Sequence, residues 1–187
     1  NGQPIDLSDI EKAQAYRDMW QKAILTDKDK NSLGGFAFIF GDKEDFGGVW
    51  YNLFMNGKKR MSYWTVRELF TGQKTKNLPP QIQEFTMDKA SRIEPGEKII
   101  IKLIALDPEG DILDYEFKIS GLAEYGNKLI KLESEKIYGN TFTVKMPVKW
   151  GVYRIYVYVT DGKGNLTIES KSGCVGLEKV KLTKLKK

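Results

Sequence analysis

Residues 98–117, KIIIKLIALDPEGDILDYEF, decide the fold. Apolar residues in the first half of this stretch recur at alternate positions, which is the period-two pattern of a β-strand. One face of this strand carries Ile99, Ile101, Leu103 and Ala105. Pro108 and Gly110 are disfavoured inside a central strand, so we expect the chain to turn at residues 107–111 and to return along residues 112–119 as a second strand.

A second unit of strand and turn lies nearer the carboxyl end. Residues 151–160, GVYRIYVYVT, are rich in β-branched and aromatic side chains, and the following DGKGN is a turn sequence. Four further short strands are predicted at residues 82–87, 129–132, 141–146 and 166–170. The predicted fold class is therefore mixed and mainly β: an immunoglobulin-like β-sandwich preceded by a small α/β segment.

The two turns also carry a family resemblance. ALDPEGDILDYEF and GVYRIYVYVTDGKGN resemble segments of the immunoglobulin-like modules, of the polycystic-kidney-disease and cadherin-like types, that are appended to bacterial extracellular enzymes. The resemblance covers residues 79–173. It implies the sandwich fold and identifies no ligand, because one fold serves many functions.

The composition is that of a globular protein and excludes several classes of function. The hydrophobic fraction is 41%, and no apolar run is long enough to cross a bilayer, so we predict no membrane span. The net charge of +5 falls close to zero without five lysines near the carboxyl end. The remaining lysines are scattered, so we predict no nucleic-acid partner. Histidine is absent, which removes the commonest general base, and the single cysteine, Cys174, excludes an internal disulfide.

The amino-terminal part alternates between helix and strand signals. Ser8 and Glu11 form a capping box, and apolar residues at helical spacing predict a helix over residues 8–25. LGGFAFIFG at 33–41 is predicted to be a strand buried on both faces, as in a parallel sheet covered by helices. A second helix is expected over residues 62–70.

This order of elements resembles the end of an enzyme barrel. The runs GGFAFIFGDKED, WYNLFMNGKK, SYWTVRELFTG and NLPPQI resemble the last β/α unit of the TIM barrel in glycoside hydrolases related to family 2, where an immunoglobulin-like module commonly follows. The resemblance implies two domains, 1–78 and 79–187. Retaining enzymes of this group use two glutamates on earlier barrel strands. The resemblance therefore implies no catalytic residue in this chain, and residues 38–42 also lack the tryptophan that the family strand usually carries.

A first candidate site follows the predicted buried strand, at the barrel end where active sites lie. Carboxylates bond sugar hydroxyls and aromatic rings stack on sugar C–H groups, so this loop suits substrate binding. Its candidate residues are Asp42, Glu44, Asp45, Trp50 and Tyr51. The competing interpretation is a solvated acidic loop with two core aromatics.

A second candidate site joins the two acidic turns. Calcium takes six to eight oxygen ligands, which clustered carboxylates can supply. The predicted metal ligands are Asp107, Glu109, Asp111 and Asp161. The alternative is that these side chains only cap their turns by accepting backbone amides, which needs no metal.

A third candidate is a row of aromatic residues formed by Tyr153, Tyr156 and Tyr158 with Trp150. Alternation places Tyr156 and Tyr158 on one face and Tyr153 on the other. One face is expected to line the sandwich core, and the alternative is a flat platform that binds carbohydrate.

Two hypotheses about function follow. The leading one is the non-catalytic carboxy-terminal portion of an extracytoplasmic bacterial protein that degrades glycans, whose partners are carbohydrate and the remainder of the parent protein. The location would be periplasmic, on the cell surface or secreted. The alternative is a free-standing carbohydrate-binding or adhesion module. A barrel remnant would expose residues 33–40, whereas a complete module would bury them.

Overall fold

The computed structural model describes residues 7–29, 31–41, 50–121 and 129–176. Two helices and a hairpin come first: α1 (Asp9–Trp20), a π-helical turn (Gln21–Leu25), β1 (Phe54–Met55), β2 (Lys58–Lys59) and α2 (Met61–Thr71). Eight strands follow: β3 (Gln81–Met87), β4 (Lys98–Leu106), β5 (Asp114–Gly121), β6 (Ile130–Lys131), β7 (Ser134–Tyr138), β8 (Thr141–Lys145), β9 (Gly151–Thr160) and β10 (Leu166–Val175).

The eight strands form two four-stranded sheets. We call them the β4 sheet, with strand order β3-β4-β8-β7, and the β9 sheet, with order β10-β9-β5-β6. All pairings within the two sheets are antiparallel. A mainly β, sandwich-like fold is therefore confirmed. β6 and β7 are consecutive in the chain but belong to different sheets, so the chain crosses between the sheets at this edge.

The apolar pattern of β4 sets the position of the core. Ile99, Ile101 and Leu103 are buried, while Ile100 on the opposite face is 44% exposed. The three buried side chains pack with Phe117, Ile155 and other side chains of the β9 sheet in one cluster between the sheets. Because side chains alternate along a strand, the sequence pattern separates the two faces of β4, and the structure shows which of them is inward.

The β9 sheet is covered on both of its faces. Val157 and Val159 face the sandwich core, whereas Tyr156 and Tyr158 face the other way. Tyr156 and Tyr158 form a second apolar cluster with Met55 of the β1–β2 hairpin. The amino-terminal part of the chain, which contains α1, the β1–β2 hairpin and α2, therefore forms a third layer on the sandwich. We call it the helical layer.

The start of α1 and the end of α2 follow ordinary capping rules, whereas α2 begins without a side-chain cap. Ser8 and Glu11 form the predicted capping box, with the Ser8 side chain accepting from the Glu11 amide. The structure begins α2 at Met61 with Arg60 as its cap residue. Gly72 ends α2 in a left-handed conformation (φ 68°), which glycine adopts without steric cost.

Two sequence-based predictions about strands are wrong. Residues 33–40 form no strand, and they are not buried on both faces: Leu33 and Phe36 are fully exposed. An apolar run shows that a segment favours burial, but burial requires a covering element. β7 was missed because all five of its residues are exposed and no apolar periodicity marks it, although it pairs with β8.

Candidate functional site

The predicted substrate-binding loop is described only in part. Asp42, Glu44 and Asp45 lie outside the described residues. Trp50 is 38% exposed and contacts the ring of Phe38 edge to face, with the centroids 5.5 Å apart. Tyr51 is half-buried and packs against Tyr16. The two aromatics therefore belong to a small aromatic cluster, and their role in binding carbohydrate stays a prediction.

The two acidic turns meet, as predicted. Carboxylate oxygens of Asp107, Asp111 and Asp161 all lie within 4.8 Å of one another. Glu109 takes a different role, since its Oε2 accepts the backbone N–H of Leu78 at 3.1 Å. We call the first three residues the acidic cluster.

Each turn is held by its own aspartate. Asp107 Oδ1 accepts the backbone amides of Glu109 and Asp111 at 2.9 and 3.0 Å. Asp161 Oδ1 accepts the amides of Lys163 and Asn165 at 2.7 and 3.0 Å. These are the bonds expected if the aspartates cap their turns.

The charge of the acidic cluster is balanced by a lysine. The Lys163 ammonium lies 2.5 Å from Asp111 Oδ1, and this bond raises the pKa of Lys163. Burial acts to raise the pKa of Asp161, but hydrogen bonds led by the Asn165 amide hold it below its usual value.

Two oxygens of the cluster are candidate ligands for a cation. Asp107 Oδ2 and Asp111 Oδ2 are buried and have no hydrogen-bond partner among the described residues. Both are of the type that calcium binds. The predicted calcium ligands thus reduce to Asp107, Asp111 and Asp161, and calcium binding itself stays a prediction.

The aromatic row does not form an exposed platform. Tyr156 and Tyr158 are 1% and 3% exposed beneath the β1–β2 hairpin, so they face away from the sandwich core and still lie inside the protein. Tyr153 packs against the edge of the sandwich core. Of the predicted row, Trp150 alone is well exposed, at 65%.

Sequence reasoning missed a buried ion pair between the helical layer and the sandwich. The side chains of Asp9 and Arg60 are each 1% exposed, and the Arg60 guanidinium donates to both carboxylate oxygens of Asp9. Asp9 Oδ2 also accepts the backbone N–H of Ile168 on β10 at 3.1 Å. Asp9 thus joins α1, the residue that precedes α2 and the free edge of the β9 sheet.

Further polar contacts fix the helical layer to the sandwich. Trp64 Nε1 donates to Asn165 Oδ1 at 2.8 Å, and the Lys59 amide donates to the Gly164 carbonyl at 2.9 Å. The NLPP segment also packs on the sandwich, because Pro80 is buried and its carbonyl accepts the Thr167 hydroxyl. The segment expected to be a linker is therefore part of the packed structure.

The other side of the helical layer is apolar and uncovered by any described residue. Leu33 and Phe36 are fully exposed, and Met19, Phe40 and Phe70 are 70%, 68% and 53% exposed. Between them lies a cleft of about 170 Å³ lined mainly by aromatic and aliphatic side chains. We call this surface the apolar face.

No family model matches the chain, and no curated protein matches it in sequence. The solved structures to which the chain is similar include two at 12% identity and a TM-score of 0.33. One is PcoC, a methionine-rich copper resistance protein from Escherichia coli, with 52% of this chain matched to 98% of that one. The other is a nucleoside hydrolase-related protein from Saccharophagus degradans that is associated with carbohydrate metabolism, with 69% of this chain matched to 34% of that one.

Among the described residues, no helix has the length and apolar character needed to cross a membrane.

Proposed function

We propose that this chain is the non-catalytic carboxy-terminal portion of an extracytoplasmic bacterial protein that degrades glycans. In this proposal residues 1–78 complete an α/β domain, and the sandwich braces that domain from outside. Catalytic carboxylates and the main sugar site belong to the preceding part of the parent protein. The observation that carries the proposal is the apolar face.

The helical layer has two unlike sides. Its inner side is joined to the sandwich by the Asp9–Arg60 pair and by the Trp64–Asn165 bond. Its outer side presents the fully exposed Leu33 and Phe36. Large contiguous apolar patches are uncommon on monomeric proteins and mark interaction surfaces. A covering element on the outer side is therefore the simplest explanation of the layer.

The form of the uncovered segment indicates what covers it. Residues 33–40 lie between the two helices, and the Ile39 and Phe40 carbonyls accept backbone hydrogen bonds from Leu53 and Phe54 at 2.8 and 3.1 Å. A domain buries an apolar segment of this kind against another packed layer of secondary structure. A neighbouring strand and its side chains would cover both the backbone and the aromatic rings.

This exposure favours the leading hypothesis over a free-standing module. A complete binding module would bury residues 33–40 under its own chain. The flat aromatic platform that such a module was expected to use is also missing, because Tyr156 and Tyr158 are buried.

The direct test compares this chain with the longest product of its gene against a panel of aryl glycosides. We expect hydrolysis by the longer protein alone. If neither protein hydrolyses any member of the panel, the glycan-degrading part of the proposal fails.

A second test addresses the apolar face without relying on activity. Phe36→Ser should leave the stability of this chain unchanged, because Phe36 is already exposed, but should destabilise the longer protein. Ile112→Ser is the matched control, since Ile112 is 89% exposed on a turn of the sandwich. The Ile112→Ser substitution should leave the stability of both this chain and the longer protein unchanged. Equal effects of the two substitutions on the longer protein would show that nothing covers Phe36.

A further inference from the structure

A polar cleft of about 210 Å³ lies where the β1–β2 hairpin meets the outer surface of the β9 sheet. Lys58 and Asn56 of the hairpin form one wall, and Asp114 and Glu116 of β5 lie across the sheet from them. The rest of the lining is Tyr115, Tyr158, Thr160 and Leu166. We call this the hairpin cleft.

Two opposite charges line the hairpin cleft without meeting. Among the described residues, the side chains of Lys58 and Asp114 have neither an ion pair within 4.0 Å nor a hydrogen bond. Glu116, in contrast, is neutralised by the ammonium groups of Lys118 and Lys131 at 3.1 and 3.3 Å. The open space of the cleft thus borders one uncompensated ammonium group and one uncompensated carboxylate.

A second polar cleft of the same size shows that this arrangement is not general. It holds about 200 Å³ on the β4 sheet and is lined by Lys98, Glu133, Glu135 and Lys145, among others. There the charges pair across the cleft: Lys98 with Glu135 at 3.9 Å and Lys145 with Glu133 at 3.5 Å. The protein therefore offers an internal control with similar volume and charge but satisfied partners.

The charges of the hairpin cleft limit the ligands that it suits. Lys58 would repel a free cation, and Asp114 would repel a free anion. A hydroxyl group both donates and accepts, so two neighbouring hydroxyls can donate to Asp114 and accept from Lys58 at the same time. Asn56 and Thr160 add neutral polar groups that suit further hydroxyls. The volume lies below the roughly 300 to 1,000 Å³ of drug-sized sites, which indicates a ligand of about one ring.

We propose that the hairpin cleft binds a neutral small molecule with neighbouring hydroxyl groups, namely a single sugar residue. This site shares no residue with the substrate-binding residues predicted between 42 and 51, and it needs no catalytic machinery. It does not rest on the proposed function, because the isolated chain contains the whole cleft.

The test is a titration of the isolated chain, followed by NMR of its backbone amides. The probes are glucose, galactose, mannose and xylose, with glycine as a small zwitterion that carries no hydroxyl pair. We expect at least one sugar to bind with a Kd of about 1 to 10 mM and to shift the amides of residues 56–58 and 114–116. Binding of glycine in place of every sugar would overturn the assignment of the ligand class.

Variants locate the site. Lys58→Met and Asp114→Asn should each weaken sugar binding about tenfold, as expected for the loss of one charge-assisted hydrogen bond. Lys98→Met and Glu135→Gln alter the control cleft and should leave the Kd unchanged. The spectrum of each variant shows whether it remains folded. Absence of sugar binding, or equal binding by all four variants, would overturn the proposal, whichever outcome the glycosidase panel gives.

Discussion

Replacing Asp9 by asparagine removes one charge from the buried contact between the helical layer and the sandwich. Asp9 and Arg60 are each 1% exposed, and Asp9 also accepts the Ile168 amide. Asparagine keeps the size of the side chain and one acceptor oxygen. The substitution therefore isolates the charge and leaves the packing almost unchanged.

The expected cost is large because Arg60 cannot reach water when its partner is lost. Breaking a buried ion pair by removing one member costs about 3 to 5 kcal/mol. Arg60 also donates to the Asn52 carbonyl at 3.3 Å, but one such bond offsets only a small part of this cost. We expect Asp9→Asn to lower the free energy of unfolding by about 3 kcal/mol, which lowers the Tm by about 6 to 12 °C in a chain of this size.

The assay is urea unfolding followed by tryptophan fluorescence and circular dichroism. Arg60→Met and the double variant Asp9→Asn/Arg60→Met complete a double-mutant cycle. The double variant should lose at least about 1 kcal/mol less than the sum of the single variants, because the two residues share one interaction. Arg17→Met is the matched control: the Arg17–Glu68 pair is 41% and 25% exposed, so its loss should cost less than about 1 kcal/mol.

Two results would refute this reasoning. Additive losses in the cycle would show that Asp9 and Arg60 do not interact energetically. A loss no larger than that of Arg17→Met would show that water reaches the pair in solution.

Three further predictions concern single side chains. Burial and, to a smaller extent, the nearby Asp9 raise the pKa of Glu169 from 4.5 to about 7. The folded state therefore binds this proton more tightly than the unfolded state does. The resulting stabilisation is fully present below about pH 4.5 and is lost as the pH rises through 7. Glu169→Gln should remove this dependence and raise the urea midpoint at pH 8; an unchanged pH profile would contradict it. Tyr158→Phe should leave stability equal or slightly higher, because its buried hydroxyl has no partner among the described residues. Tyr156→Phe should lower the free energy of unfolding by about 1 kcal/mol, because it breaks the 3.2 Å hydrogen bond with Ser120. If urea unfolding showed Tyr158→Phe to be the less stable of the two variants, both assignments would be wrong. If calcium binds the acidic cluster, it competes with the Lys163 ammonium group. Added calcium should therefore raise the Tm of Lys163→Met more than that of the unaltered protein, and a chelator should reverse the rise. If calcium raised the Tm of neither protein, the calcium hypothesis would be wrong.

Local patterns were sufficient where one strand contains all of the necessary information. The alternation in β4 separated its two faces. The two acidic turns, expected as candidates to share one end of the sandwich, do meet there because β5 and β9 are antiparallel neighbours. In these cases the side chains report directly on their own surroundings.

Predictions failed or stayed incomplete where the surroundings come from another part of the chain. Alternation correctly separated Tyr153 from Tyr156 and Tyr158, but it could not show that the second face is covered by the β1–β2 hairpin. Asp9 and Arg60 are 51 positions apart, and nothing near either residue indicates the other. Lys58 and Asp114 were likewise not singled out, because only the fold places them at one cleft.

The covered outer face of the β9 sheet bears on how such a module can spread among proteins. A domain whose surface needs no cover from a neighbouring segment can be joined to a different protein by recombination and remain soluble. Here Tyr156, Tyr158, Leu166 and Ile168 lie under the hairpin of the preceding segment. A gene fusion that carried only residues 79–187 would expose these apolar side chains, and the fusion protein would tend to associate with other proteins through them. The outer face of the β9 sheet therefore stays covered only if the sandwich is inherited together with its helical layer.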